Sequence, residues 1–277
     1  KIDISFSEGG KKLIRIVDDG WGISSKELEL AVSSHSTSKF TGDLNGIRTF
    51  GFRGEALSSI SAISKLSLRS KNSNEEEAFE INVNAGEILN IKPTNIQQGT
   101  CVEIRDLFFS TPARLKFLKK TSAETRAIIE VVKRAALGAP EVHFILRDLT
   151  RNGEEKIILN IPKENLKSSM IDRIGKIVGS DFVENSLELN HHHNGYFIKG
   201  LISLPTYSKP NSINQYFYIN GRVVKDKMLS MIGKNSYNDF LSSNKFPVLI
   251  FFIECDPCLV DVNVHPAKLE VRFSETN

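Results

Sequence analysis

Alternating apolar residues at Leu13, Ile14 and Ile16 feed directly into Asp18-Asp19-Gly20-Trp21-Gly22-Ile23, and this junction constrains the fold more than any other stretch. Glycines just beyond a strand end predict a tight turn whose backbone a flat ring can approach, because neither carries a Cβ. A carboxylate at that place can accept a hydrogen bond from an exocyclic amine. By itself the hexapeptide also reads as an acidic strand-to-helix turn, since short motifs recur by chance. Upstream, Ile2, Ile4 and Phe6 alternate in the same way, so a hairpin across the polar residues 7–12 is expected to lead into the acidic loop.

The rest of the chain alternates helix and strand signals. Ser24 with Glu27 forms a capping-box pattern before Leu28, Ala31 and Val32. Residues 35–50 are rich in Ser, Thr, Gly and Asn without periodicity, a long connection of the kind that carries function or moves. Helix resumes at Ala56, Ile60 and Ile63, followed by strands at residues 66–68, 79–83 and 102–104, with a turn at Ala85-Gly86. Thr121 with Glu124 is expected to cap the longest helix, which carries Ile128, Val131 and Ala135 and stops at Gly138 and Pro140. Val142, Phe144 and Leu146 face Ile157, Leu159 and Ile161 across Asn152-Gly153, a hairpin signal. A second unit is expected from about residue 165, with a short helix ending at Gly179 and strands turning at Asn194-Gly195 and Asn220-Gly221. A helix over 226–241 and a doubly buried strand over 248–253 complete it. For 277 residues two domains are the natural expectation, at 1–164 and 165–277.

Further segments suit a polyanionic ligand. Thr49-Phe50-Gly51-Phe52-Arg53-Gly54-Glu55-Ala56-Leu57 is a glycine-bracketed turn running into a helix start, where free N–H groups and the helix dipole favour phosphate. A tight turn with a solvated Arg53 fits the same residues. Gly99-Thr100-Cys101-Val102-Glu103-Ile104 reads as a turn feeding a core strand; Thr100 could offer its hydroxyl to a ligand or be structural.

Net charge is only +3, so contact with nucleic acid must come from local patches. Residues 114–134 hold seven Lys/Arg against two acids, and residues 209–245 hold six against two. Both also read as solvated faces. Three cysteines make no disulfide framework, and no apolar run approaches the roughly 18 residues of a membrane span, so a cytosolic protein is expected. Cys255-x-x-Cys258 lacks a second ligand pair, and His191-His192-His193 reads as a polar hairpin loop, so no metal site is expected. The opening Lys-Ile-Asp-Ile-Ser-Phe looks like mid-strand rather than a natural start, and a fragment is expected.

Taken in order, Asp-Asp-Gly-x-Gly-Ile, Ser-x-Ser-Thr-Ser-Lys, Gly-Phe-Arg-Gly-Glu-Ala-Leu and Thr-Pro-Ala-Arg resemble the MutL family of DNA mismatch repair proteins. Tyr218-Ile219-Asn220-Gly221-Arg222 and residues 261–268, Asp-Val-Asn-Val-His-Pro-Ala-Lys, extend the resemblance over nearly the whole chain. Its relatives by fold are gyrases, certain heat-shock chaperones and histidine kinases, in which the Phe-Arg-Gly-Glu-Ala-Leu and His-Pro-Ala-Lys segments are not typical.

The resemblance implies an α+β fold: a two-layer, mixed-sheet GHKL (Bergerat) ATP-binding domain, then a smaller α/β transducer domain of ribosomal-protein-like topology. It implies that Asp18 accepts the adenine amine, with Gly22 and Thr100 completing the pocket through backbone and water-mediated contacts. Residues 36–54 match the family's ATP lid, in which Lys39 and the backbone of Gly51, Phe52, Arg53 and Gly54 close over the phosphates. Lys268 matches a second-domain lysine that reaches the γ-phosphate, a role suited to a compact ammonium on a long stem. Lys227 falls where the family has a DNA-contacting basic residue, and with Arg222 and Lys225 is expected to meet the DNA backbone without sequence preference.

The family's general-base Glu and the magnesium-binding Asn four residues later have no match here. Glu8 lies in a turn and is followed four residues on by Lys12, so the chain as written is expected to hydrolyse ATP negligibly and to stay monomeric. For the full-length protein, ATP and Mg2+ as cofactors, self-association, a mismatch-recognition protein and a downstream nuclease or helicase are the implied partners. No membrane is involved. The implied location is the bacterial cytoplasm at the nucleoid, or the nucleus in a eukaryote. Two other readings stay open at this point: the ATPase region of a type II topoisomerase, and a non-catalytic DNA-binding module.

Overall fold

The computed structural model describes residues 1–33, 54–151, 154–164, 169–261 and 272–273. The chain divides into two compact units, Lys1–Val132 with Val142–Lys163, and Lys133–Glu141 with Glu164–Asn277.

The first unit is built on an eight-stranded sheet. Its strands are β1 (Ile2–Ser7), β2 (Leu13–Asp18), β3 (Lys65–Lys71), β4 (Ala78–Asn84), β5 (Glu87–Thr94), β6 (Gly99–Arg105), β7 (Phe144–Arg151) and β8 (Glu154–Ile161), in the order β5-β4-β3-β6-β2-β1-β7-β8. Every neighbouring pair is antiparallel except β1 and β7, which run parallel. The hairpin of β1 and β2 forms as the alternation predicts. The turn of the β7–β8 hairpin, residues 152–153, lies outside the described residues.

Period-2 alternation decides the two faces of this sheet. Leu66 and Leu68 of β3, Ile81 and Val83 of β4 and Ile104 of β6 point to one side, where Leu28 and Val32 of α1 (Leu28–Val32) and Leu57 and Ile60 of α2 (Ala56–Ser61) cover them. The opposite face carries charge. Arg15 Nε and Arg105 Nε reach the Glu103 carboxylate at 2.7 and 2.6 Å, with Arg69 Nη2 at 3.7 Å.

Three local expectations are corrected. Ser24 does not cap a backbone N–H; its hydroxyl donates to the Glu27 side chain at 2.6 Å, and one 3-10 turn precedes α1. In α2 the core-facing residues are Leu57 and Ile60, while Ala56 is exposed. After the single turn α3 (Pro112–Leu115), helix α4 spans Thr121–Gly138, and Thr121 is its first residue rather than its cap. Glu124 instead reaches back to accept from the Lys119 N–H at 2.8 Å. Strand β5 was not expected at all. It is a sheet edge, almost wholly exposed, so its burial carries no alternation to read.

The second unit has a five-stranded sheet of β9 (Ser186–His193), β10 (Tyr196–Ser203), β12 (Gln215–Ile219), β13 (Arg222–Val224) and β15 (Leu249–Glu254), in the order β13-β12-β15-β10-β9. Short ladders join β11 (Ser208–Lys209) to β14 (Phe246–Pro247) and β16 (Val260–Asp261) to β17 (Arg272–Phe273). Asn194-Gly195 and Asn220-Gly221 turn the hairpins with positive φ at all four residues, as such dipeptides favour. Helices α5 (Met170–Val178) and α6 (Ser180–Glu184) follow one another across Gly179. Helix α7 covers only Lys227–Asn235, shorter than the expected 226–241, because Tyr237 turns inward and donates its hydroxyl to the Ser203 carbonyl at 2.6 Å. The central strand β15 lies between β12 and β10, which accounts for its continuous apolar run.

Two arginines are buried here and donate to backbone carbonyls. Arg134 donates to the carbonyls of Gln215 and Ile213 at 2.9 and 2.7 Å and stacks on the Tyr216 ring. Arg173 donates to the carbonyls of Ala136 and Ala139, satisfying the last turn of α4. Arg134 is therefore no part of a solvated basic face.

Candidate functional site

Strand β2 ends at Asp18, which pairs directly with Thr100 of β6, and Thr100 pairs in turn with Ser70 of β3. Directly opposed residues of antiparallel neighbours point to the same side. Asp18, Thr100 and Ser70 therefore stand abreast on three adjacent strands, on the face that carries Leu66, Leu68 and Ile104. They form a polar end to an otherwise apolar layer.

Asp18 is half-buried. Its Oδ1 accepts the Gly20 N–H at 2.9 Å, and its Oδ2 has no hydrogen-bond partner among the described residues. One carboxylate oxygen is thereby fixed, and the other can accept a further hydrogen bond. Thr100 is 9% exposed and Ser70 2%. Ser70 Oγ lies 3.0 Å from Thr100 Oγ1, 3.0 Å from the Gly99 carbonyl oxygen and 2.8 Å from the Ile23 nitrogen.

The acidic loop is strapped to the exit of β3. Ser73 N–H donates to the Trp21 carbonyl at 2.9 Å, Asn72 Nδ2 to the Gly22 carbonyl at 3.4 Å, and Gln98 Nε2 to the Gly20 carbonyl at 3.3 Å. Glu75 accepts from the Ser25 N–H and hydroxyl. Gly22, at φ +73°, lies so close to this segment that a Cβ would stand 2.0 Å from the Lys71 carbonyl oxygen. Trp21 stays 79% exposed beside this floor.

Ser70, Asn72, Glu75 and Gln98 escaped the sequence reading. Of these Ser70 did carry a signal, a hydroxyl placed in phase with the inward Leu66 and Leu68.

Of the other expected site residues, Gly54 sits just before α2 at φ +64°. Lys39, Gly51, Phe52, Arg53 and Lys268 lie outside the described residues. Glu8 occupies a 3-10 turn at positive φ, its N–H donating to Thr150 Oγ1 at 2.9 Å. In the second unit Arg222 opens β13 half-buried, and burial lowers its pKa. Lys225 and Lys227 are exposed on either side of Asp226, whose carboxylate caps α7 by accepting from the Leu229 N–H at 2.9 Å. The hairpin end thus gathers basic side chains around one acid already engaged in capping. Among the described residues no three His, Cys, Asp or Glu side chains stand together as a metal site. No helix among them is long and apolar enough to cross a membrane.

Residues 1–105 match the family model of histidine kinase-, DNA gyrase B-, and HSP90-like ATPases, and residues 174–277 match the C-terminal domain of DNA mismatch repair proteins. A solved Aquifex aeolicus MutL ATPase domain complexed with ADP superposes with a TM-score of 0.66 at 30% identity, over 92% of this chain and 84% of that one. The chain belongs to the MutL family. The MutL protein of Chelativorans sp. (strain BNC1) is 45% identical over 275 residues, 99% of this chain and 44% of that protein. That of Rickettsia bellii (strain RML369-C) is 44% identical over 278 residues, 100% of this chain and 45% of that protein. The N-terminal domain of a DNA repair protein superposes with a TM-score of 0.81 at 27% identity, over 98% of this chain and 83% of the other. The chain spans just under half the length of the curated MutL proteins it matches. Its α+β architecture is that of the MutL ATPase domain.

Proposed function

We propose that residues 1–164 bind ATP in the pocket floored by Gly22 and closed by Asp18 and Thr100, and that residues 165–277 sense the bound nucleotide. The observation that carries this reading is the divided Asp18 carboxylate, with one oxygen anchored on the Gly20 N–H and the other presented beside Thr100 at the end of β2. An ionised carboxylate only accepts, which suits an amine and repels a carbonyl at the same position of a purine. The family relationship and the ADP bound by the Aquifex neighbour support adenine as the base.

In this reading Lys39 and the backbone of residues 51–54 enclose the phosphates, and Lys268 reaches the γ-phosphate. ATP binding orders the lid over 36–54, full-length protomers associate, and slow hydrolysis resets them, coupling mismatch recognition to a downstream nuclease or helicase. Mg2+ enters with the triphosphate, held largely through the phosphate oxygens. No residue of the chain matches the family's general base and magnesium-binding Asn, so we propose that a polypeptide of these 277 residues alone holds nucleotide without appreciable turnover. Arg222, Lys225 and Lys227 contact the DNA backbone. The protein works at the nucleoid in the bacterial cytoplasm.

Thermal denaturation of the full-length protein tests the pocket. ADP should raise the midpoint and GDP should not, by mass action on the folded state. Equal stabilisation by both would sink the adenine assignment.

A further inference from the structure

We propose that the charged face of the eight-stranded sheet holds a second ligand site, one that takes a phosphomonoester dianion with Arg69 and Arg105 as its anchors. This face is the one opposite Asp18 and Thr100, so the site is separate from the nucleotide pocket.

Strand register builds the cluster. Arg15 of β2 and Ser67 of β3 sit directly opposite Glu103 of β6, one on either side. Arg105 lies two residues further along β6, and Arg69 faces Cys101, two residues back. Alternation points all of them to the same side of the sheet. Three guanidiniums thereby converge on one carboxylate, with Arg15 Nε and Arg105 Nε hydrogen-bonded to it and Arg69 Nη2 only within 3.7 Å. The nearby cations Lys92 and Lys65 are matched by Glu80 at 3.3 Å and Asp106 at 2.9 Å. Three positive charges around the single Glu103 carboxylate therefore leave an excess of two.

Arg69 is the least satisfied of the three. Its Nε is buried and has no hydrogen-bond partner among the described residues, and its Nη2 meets the Cys101 sulfur at 3.4 Å, a weak acceptor. A buried N–H without an acceptor is costly, and the planar guanidinium fork matches two oxygens of one phosphate.

Space for such a ligand adjoins the cluster. A cavity of about 360 Å3 is lined by Arg69, Glu103 and Arg105 and, on β4, by Asn82 and Asn84. That volume suits a small molecule. Asn84 Oδ1 is also buried without a partner among the described residues, an acceptor for a ligand hydroxyl. A donor that lacks an anion and an acceptor that lacks a hydroxyl, in one cavity, describe a hydroxylated phosphate ester. Charge favours phosphate over carboxylate, because an excess of two is balanced by a dianion and only half balanced by a monoanion. A small sugar phosphate and the 5′-phosphate end of a nucleic-acid strand present this same chemistry.

Calorimetry on the full-length protein, with the nucleotide pocket filled by a non-hydrolysable ATP analogue, tests the site with ribose 5-phosphate as the probe. One probe molecule should bind per chain, at least about tenfold tighter than ribose or acetate. Arg69→Met should weaken it about 10- to 150-fold, the range for a lost hydrogen bond to a charged group. Arg105→Met, at a largely exposed position, should act in the same direction and serves if Arg69→Met fails to fold. Lys156→Met removes one positive charge from β8, at the other edge of the sheet, and should stay within about twofold. Displacement of the probe by a 5′-phosphorylated single strand but not by its 5′-hydroxyl counterpart would assign the strand end as the source; otherwise the source is the small phosphate. Affinity indifferent to both arginines, an equal loss with Lys156→Met, or acetate bound as tightly as ribose 5-phosphate would overturn the inference. So would a loss of probe binding in Asp18→Asn, which would place the probe in the nucleotide pocket.

Discussion

Asp18→Asn is the substitution with the most definite consequence. Asn is nearly isosteric, so its oxygen can keep the 2.9 Å bond from the Gly20 N–H, and the fold of the loop should survive. The second position then holds an NH2 group pointed at the adenine amine, donor against donor. Flipping the amide only moves the conflict, because the NH2 would then face the Gly20 N–H. A hydrogen bond to a charged group contributes about 1.5–3 kcal/mol and each 1.4 kcal/mol is tenfold, so ADP affinity should fall about 10- to 150-fold. Calorimetric titration of the full-length protein reads this directly. The neighbouring carboxylate provides the control: Asp19 is largely exposed, and Asp19→Asn should stay within about twofold. A Kd for Asp18→Asn within about threefold of the parent would refute the assigned geometry.

Other consequences are structural or electrostatic. Gly22→Ala should cost at least about 2 kcal/mol in urea unfolding, since it forces a side chain into the left-handed region and onto the Lys71 carbonyl. Arg134→Ala should cost about 3 kcal/mol by the same measurement, removing the donor from the buried Gln215 carbonyl and the part-buried Ile213 carbonyl together with the packing on Tyr216. Lys227→Glu should weaken DNA binding on all sequences and flatten the plot of log affinity against log salt by about one unit; an unchanged slope would remove Lys227 from the interface. At Glu103 burial pushes the carboxyl up, but hydrogen bonds and charge from Arg15 and Arg105 outweigh it and hold its pKa below the usual carboxylate range. A lowered folded-state pKa gives stability that is present above the unfolded carboxylate pKa, about 4.3, and lost as pH falls below it. Glu103→Gln should therefore be less stable than the parent near neutrality, with the gap closing in acid.

Hairpins and core strands were legible because their determinants are local. Asn194-Gly195 and Asn220-Gly221 need positive φ, and Leu66 and Leu68 need one buried face. Strand β5 was not, since an edge strand exposed on nearly every residue obeys no burial pattern. The end of α7 was misplaced because Tyr237 and Leu241 continue a helical spacing although Tyr237 serves the sheet core. The same division holds at the site. Asp18, Gly22 and Thr100 announce themselves by residue type and company, whereas Ser70 acts across 30 residues to Thr100 and 47 to Ile23. Strand register sets Ser70 beside Thr100, and the folding-back of the acidic loop brings Ile23 to them. Arg134 shows the converse, a charge counted toward a basic stretch that the fold spends on backbone carbonyls.

Competitive calorimetry of ADP and GDP on the unmodified full-length protein addresses the pocket most directly. One adenine nucleotide should bind per chain, with GDP weaker by about a hundredfold or more, because a buried site matched to one hydrogen-bonding pattern rejects its inverse strongly. Comparable affinities for the two bases would contradict a base read by Asp18 and Thr100.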